Sequence, residues 1–460
     1  MSEDTQATVS GTEPLDTQLE SSSAFKMYKF FRSDLYNFEL TRLLGCTSTG
    51  GCDIAEFLEA VGKLKVHDPE TWFTAWAEQS ARTEEIAREA VQHGHRRAAL
   101  GAFLRAANYA RASGYMLTGS DARILQTAER SVALFKEACA YMEGQVVPVD
   151  IPYQHEARGE IWLPGYLYLP PGAKRLAGGK APVLINCCGA DSTQEELYFA
   201  LPAAGLELGY AVLTFEGPGQ GIMRQKHKTS LRPDFEAVIS AILDHLEGAA
   251  KAHPEFGLDL KRIAIAGGSM GAYYSLRACT DRRIKACVAI DGFYSLWAVA
   301  LDRMPGWYAS LWLSGWLPEW AFDQSIHFGM AMDFSTRWEF GLGMAMMGTS
   351  TPGNTLRRFQ QFSLDVPTAD GRNVLDNIRC PVLLTGASRS LYASAQDGTV
   401  AVAQALKQVP EPSLEVWIPE DIGNGGMTGK VGAWALLAQK SFQFLDKHLE
   451  VKRAPCSQQS

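Results

Sequence analysis

Short segments that are apolar throughout alternate with helical ones from residue 146 onward, and this constrains the fold more than any other feature of the chain. Pro182–Cys188, Tyr210–Phe215, Arg262–Ala266, Ile284–Ile290, Pro381–Thr385 and Leu414–Ile418 read as strands. Glu195–Leu208, Asp234–Ala250, Gly271–Thr280 and Val431–His448 read as the helices between and after them. A strand with no polar face has no side to turn to water. Such strands, joined through helices, predict a mostly parallel sheet covered on both faces, an α/β architecture. Val146–Ile151 and Gly159–Leu169 precede them as strands, the second stopped by Pro170-Pro171-Gly172.

The region before the sheet reads differently. Asp68-Pro69-Glu70 pairs a cap with a proline in the first turn, and helical spacing runs on to Gln92. Arg96–Tyr115 and Asp121–Met142 continue the pattern, with Ser120-Asp121 placed to cap the latter. The expected organisation is a disordered tail at 1–27, a helical cap at 28–145, an α/β domain at 146–450 and a tail at 451–460. Arg96, Arg97, Arg105 and Arg111 fall on one helix, where a solvated face is the default reading.

Composition narrows the function classes. The 460 residues are 46% hydrophobic and 20% charged, enough apolar content for a large core. A net charge of −8 gives no field for nucleic acid or an anionic membrane. The nine cysteines are odd in number, lack C-x-x-C spacing and sit mostly in apolar runs. They suit reduced thiols in a cytoplasmic protein rather than disulfides or a zinc site. The Ser-, Thr- and Glu-rich start is unlike a signal peptide. No apolar run reaches the roughly 20 residues of a membrane span. Neither a cofactor nor a metal is expected.

The segment between the strands ending at Ile290 and beginning at Pro381 breaks the alternation. It holds Trp297, Trp307, Trp312, Trp316, Trp320 and Trp338 together with Met304, Met330, Met332, Met344, Met346 and Met347. A helical insertion at about 292–375 that packs on the sheet is the plain reading. A lid lining an apolar pocket is the functional one, because aromatic and methionine walls adapt to apolar ligands.

Chemistry enters at Gly267-Gly268-Ser269-Met270-Gly271, a G-x-S-x-G turn between an apolar strand and a helix. That context is what a nucleophile elbow requires. A sharp strand-to-helix turn lifts the serine hydroxyl out, and small flanking residues let the turn close. The amide of Met270 is one candidate oxyanion donor; Gly189 and Ala190, after Pro182–Cys188, are the candidates for a second. Asp191 and Ser192 read more plainly as a helix cap, and Glu195 and Glu196 as first-turn charges on the helix dipole. Glu216–Gly221 (EGPGQG) only loosely resembles a dinucleotide loop, and Pro218 argues for a tight turn lining the pocket instead.

The partners of the serine are missing from their usual places. An acid should follow Pro381–Thr385, but Gly386–Tyr392 has no carboxylate. A histidine should follow Leu414–Ile418, but Pro419–Met427 has none. Three solutions stay open. A histidine comes from elsewhere, His227 or His327, with Asp291 to orient it. Or a carboxylate, Asp421 or Glu196, serves as a weaker base. Or Ser269 does not attack, and the oxyanion hole stabilises an enolate.

Several segments together resemble a known family. They are Phe30–Ser33 with Asn37-Phe38, Gly50–Glu56 (GGCDIAE), Trp72 with Trp76, Asp191–Tyr198, Glu216–Gly221, Gly267–Gly271, Gly386–Tyr392 and Gly425–Ala433. Over roughly residues 28–450 the chain resembles the fungal α/β-hydrolases of polyketide–peptide hybrid pathways, the fusarin- and cytochalasan-type biosynthetic hydrolases. More distantly it is similar to heptaketide hydrolases and to dihydroxypseudooxynicotine hydrolase. The resemblance implies an α/β-hydrolase fold with an N-terminal helical cap. It implies Ser269 as nucleophile and a small polyketide-derived substrate. The distant relatives carry their acid and histidine near the positions of Ser388–Ser390 and Asn424, where this chain has neither. Hydrolysis and an intramolecular, Knoevenagel-type ring closure are therefore both expected reactions. A catalytically silent protein binding an apolar metabolite and an ordinary carboxylesterase are the rivals. The helical module has two readings, pairing into a homodimer or capping the pocket.

Overall fold

The computed structural model describes residues 27–367, 371 and 373–454; of the tails expected at 1–27 and 451–460, residues 1–26 and 455–460 lie outside the described residues. Five helices come first: α1 (Asp34–Gly45), α2 (Ile54–Val61), α3 (Pro69–Gln92), α4 (Arg96–Ser113) and α5 (Arg123–Cys139). Helix α3 keeps the predicted bounds because Asp68 caps it, accepting from the amides of Glu70 (3.0 Å) and Thr71 (3.2 Å), with Pro69 at its first position. Trp72 and Trp76 are fully buried, and the Trp72 indole donates to the Ala112 carbonyl (2.7 Å), tying α3 to α4. The cap expected of Ser120-Asp121 forms differently. Helix α5 has Ala122 at its cap position without a side-chain bond, while Asp121 accepts from the Arg123 amide and guanidinium.

The strands are β1 (Gln145–His155), β2 (Gly159–Leu169), β3 (Ala181–Cys187), β4 (Ala211–Phe215), β5 (Leu258–Gly268), β6 (Ile284–Ile290), β7 (Val382–Thr385) and β8 (Leu414–Trp417). They form one eight-stranded sheet in the order β1-β2-β4-β3-β5-β6-β7-β8. The β1–β2 and β2–β4 pairs are antiparallel and the others parallel. Successive side chains of the central strands go to opposite cores. Leu184, Ala264, Ala266 and Val288 pack with the helical cap, whereas Val183, Ile185, Ile263, Ile265 and Cys287 pack on the other face. Because β3 and β5 are neighbours and the chain leaves them in opposite directions, toward β4 and toward β6, a crevice opens at their carboxyl ends.

The expected helix Glu195–Leu208 is two helices, α6 (Gln194–Leu197) and α7 (Pro202–Glu207). Pro202, which cannot donate from an interior turn, starts the second. Then come α8 (Gly221–Gln225), α9 (Glu236–Ala252) and α10 (Met270–Ala278). Five helices lie between β6 and β7: α11 (Leu296–Asp302), α12 (Gly306–Leu313), α13 (Glu319–Met332), α14 (Phe334–Met347) and α15 (Pro352–Phe359). Helices α16 (Ala401–Ala405) and α17 (Trp434–His448) complete the chain. No helix among the described residues is long and apolar enough to cross a membrane.

Candidate active site at the carboxyl ends of the central strands

Ser269 stands between β5 and α10 at φ 54° and ψ −115°, a conformation that costs a non-glycine residue about 1–3 kcal/mol. Its amide donates to the Ile290 carbonyl (2.8 Å), which fixes it beside the end of β6. The flanking glycines are required. A Cβ on Gly267 would lie 2.4 Å from the Gly271 carbonyl oxygen, and one on Gly271 would lie 2.7 Å from that of Cys187. Ser269 faces a cavity of about 400 Å³, with Asp291, Phe293, Met304, Phe340 and Met347 among its walls. The helices between β6 and β7 thus supply most of the apolar lining.

The two candidate oxyanion loops differ in what they have to give. The Gly189 amide donates to Ser192 Oγ (2.7 Å), so it is already engaged. The amides of Ala190 and Met270 have no acceptor among the described residues, and both residues line the cavity. Gln220 Nε2 braces the loop by donating to the carbonyls of Cys188 (2.7 Å) and Gly189 (3.1 Å). Arg224 Nη1 donates to the carbonyl of Ala190 (3.3 Å). The EGPGQG turn therefore supports the loop after β3, with Gln220 wholly buried, rather than lining the main cavity.

Asp291 follows β6 as Ser269 follows β5, and β5 and β6 pair in register up to Gly268 and Ile290. It too has a positive φ, 50°. One carboxylate oxygen, Oδ1, accepts from Thr385 Oγ1 (2.6 Å) and from Lys430 Nζ (2.8 Å). The other, Oδ2, is buried and has no hydrogen-bond partner among the described residues. Lys430 is fully buried, donates also to the Gly386 carbonyl (2.7 Å) and lies 5.2 Å from the centre of the Trp417 ring. Burial lowers its pKa, and the Asp291 charge only partly opposes this. Its φ is 54°, so three of the strained residues of this chain gather in one place. Lys430 is the residue that sequence reasoning missed. A lysine among Gly425, Gly426, Gly429 and Gly432 has no periodicity to betray its burial.

The other candidates are not brought to the serine. His327 is exposed on α13 and His227 is exposed after α8. No histidine lines the cavity. Asp421 is half-buried outside it and accepts from Asn424 Nδ2 (3.4 Å). Glu196 is buried in an ion cluster: Arg42 Nε donates to it (2.5 Å), Arg42 Nη2 reaches its other oxygen, and Arg111 lies 3.5 Å away. Its charge is committed to the cap, which removes it as a base. Arg111, expected on a solvated face, is buried in the same cluster and donates to Glu39 Oε1 (2.8 Å). Asp191 is no cap either; Thr193 takes that role. Asp191 lines the cavity and accepts from Arg42 Nη1 (2.9 Å) and the Tyr115 hydroxyl (2.7 Å). Burial alone would raise its pKa, but the Arg42 charge and these bonds outweigh burial and hold it low.

Comparison with known proteins agrees with this geometry. The model of the α/β hydrolase family matches residues 183–425. The α/β hydrolase xenA of Xenoacremonium sinensis is 48% identical over 429 residues, 93% of this chain and 99% of that protein. The hydrolyase ccsE of Aspergillus clavatus is 42% identical over 438 residues, 93% of this chain and 99% of its own. Among solved structures, 2,6-dihydroxy-pseudo-oxynicotine hydrolase superposes with a TM-score of 0.65 at 19% identity, covering 89% of this chain and 97% of that one, a likeness of fold. A serine on a strained elbow, an eight-stranded sheet in this order and relatives of nearly equal length lead to one conclusion: the chain belongs to the α/β hydrolase family.

Proposed function

We propose that this protein is an enzyme of fungal secondary metabolism that closes a ring in a polyketide–amino-acid intermediate by an intramolecular, Knoevenagel-type condensation. The observation that carries the reading is Asp291 Oδ2, a buried carboxylate oxygen without a partner, in a serine-containing cavity that no histidine lines. A carboxylate bonded to an ammonium is a poor base for a serine hydroxyl. A methylene between two carbonyls is far more acidic and asks less of it.

In this scheme Asp291 Oδ2 takes the methylene proton. The enolate oxygen that forms accepts from the amides of Ala190 and Met270, with the Ser269 hydroxyl as a further donor. The enolate carbon attacks an aldehyde carbon of the same molecule, forming the C–C bond. The protonated Asp291 returns its proton to the resulting alkoxide, then takes the second methylene proton as the C–O bond breaks, and the departing hydroxide regains that proton and leaves as water, forming the double bond. The apolar walls hold the chain folded so that the two carbons meet. Thr385 and Lys430 position Asp291 through Oδ1 without touching substrate.

The test is conversion of a linear β-ketoamide aldehyde to its cyclic product, followed by mass spectrometry. Asp291→Asn is expected to lower kcat by about 10²- to 10⁴-fold, the usual value of a positioned base. Full activity in that variant would refute the scheme. Hydrolysis through an acyl-enzyme is the second reading, favoured by the strained elbow itself. Covalent labelling of Ser269 by a fluorophosphonate, with ester turnover lost in Ser269→Ala, would support it.

A further inference from the structure

A second chamber of about 120 Å³ adjoins the main cavity, and Asp191, Trp338 and Leu342 line both. One wall is apolar, built from Leu117, Ile124 and Val132 of the cap. The lining also carries Arg224, Glu195 and Glu216. Glu216 accepts from the amides of Gln194 (3.2 Å) and Ile222 (2.5 Å), an arrangement that suits a carboxylate. Burial and the neighbouring Glu216 push Glu195 up to about 8, and burial pushes Glu216 up as well.

Arg224 is the unusual member. A guanidinium has five N–H donors. Apart from the bond to the Ala190 carbonyl, those of Arg224 find no acceptor among the described residues. No carboxylate oxygen of the described residues lies within ion-pair distance of it. Burial pulls its pKa down, and the charges of Asp191 and Glu216 offset this only in part. Arg111 lines the same chamber with its side chain 5% exposed and its Nη1 unpartnered. The chamber therefore holds donors that lack an oxygen to receive them, beside an apolar wall. With Glu216 and Asp191 close by, a further anion would be repelled; a neutral oxygen would not.

We propose that this chamber is a subsite for an amide-carbonyl end of the substrate, with Arg224 donating to the carbonyl oxygen. The assignment rests on the reading that the main cavity holds the rest of that molecule. It also gives Arg224 a double position, since the same guanidinium holds the carbonyl of Ala190, whose amide faces the reacting atoms. A substrate seated at its head would thus brace the oxyanion loop.

The test uses binding to the full chain, read from quenching of tryptophan fluorescence, Trp338 being part of both chambers. The probes are a medium-chain alkyl amide and its thioamide counterpart, whose sulfur is a poor acceptor. The wild type is expected to bind the amide about 10- to 100-fold more tightly, the range for a hydrogen bond to a charged donor. Arg224→Leu should abolish that preference, and Arg224→Lys should restore part of it. No preference in the wild type, or a preference that survives in a folded Arg224→Leu, overturns the subsite. The β-ketoamide aldehyde assay separates this from the proposed reaction. An Arg224-dependent preference without ring closure refutes the condensation alone, and ring closure with an Arg224-independent preference refutes the subsite alone.

Discussion

Two buried ion clusters border one cavity, and they are built to different ends. On the cap side, Arg42 and Arg111 meet Glu39, Glu196 and Asp191, and both oxygens of Glu39 and of Glu196 are engaged. That cluster joins α1 and α4 to the loop after β3. On the sheet side, Lys430 and Thr385 meet Asp291 through one oxygen and leave the other buried and unpartnered. Taking charges out of water is costly, and a cluster whose groups satisfy one another offsets the cost where it stands. One that leaves an oxygen bare does not. A carboxylate with both oxygens engaged marks a fastener; one with an oxygen left bare marks a place kept for a ligand or a proton.

A change at the sheet-side cluster tests the second half of that contrast. Lys430→Met leaves Asp291 with Thr385 but takes away its cation. Its kcat per folded molecule should fall by about tenfold or more while KM stays near the wild-type value. A merely structural lysine would change the melting temperature and leave kcat per folded molecule where it is.

The first half is tested by Arg42→Ala. Glu196 would lose its two strongest donors and Asp191 its cation, and such a break in a buried cluster costs about 3–5 kcal/mol. Urea unfolding should register that loss, while kcat per folded molecule changes far less than in Asp291→Asn. A collapse of kcat without loss of stability would place the cap cluster in the chemistry and erase the distinction. Acid should act in the same sense. Asp191 is held low in the fold, so its stabilisation is present above the ordinary value of about 3.9 and is lost as the pH falls further.

The legibility of these features follows from what a linear pattern can carry. The elbow was readable because strand, turn and helix are contiguous and each leaves a local mark: apolar run, Gly267, Gly271. The sheet was readable for the same reason, since apolar strands declare burial on both faces. Asp291 stood out as a carboxylate at a strand tip, although its bond to a lysine 139 residues away has no local mark. Glu196 and Asp191 were read as dipole and cap residues because their partner, Arg42, lies about 150 residues earlier, at separations of 154 and 149. Local rules reach as far as a helical turn. Ion clusters are assembled by topology.

Glu195 acts with opposite sign to Asp191. Its pKa is raised to about 8, so the folded chain holds a proton that the unfolded chain has released above about 4.3. Its contribution is full below that value and declines as the pH rises toward 8. Glu195→Gln should flatten the decline in stability measured by urea unfolding between pH 5 and 8. An unchanged slope would place that proton elsewhere in the chamber.

The smallest effect belongs to the outer surface of the insertion, where neither cluster reaches. Its own buried centre is Trp312, Phe322 and Leu356, with the Trp312 indole donating to Glu319 (3.0 Å). Trp316 is 85% exposed and buries little. Trp316→Ser should therefore shift unfolding by no more than about 0.5 kcal/mol, the range for surface positions free of special contacts. Its kcat should match the wild type, because the cavity-facing residues of α14, Phe340 and Met347, stay in place. A raised KM at unchanged stability would show that substrate crosses this aromatic face on its way in. The contrast between a fastened cap and a reserved carboxylate would then gain a third member, a surface that sorts what reaches them.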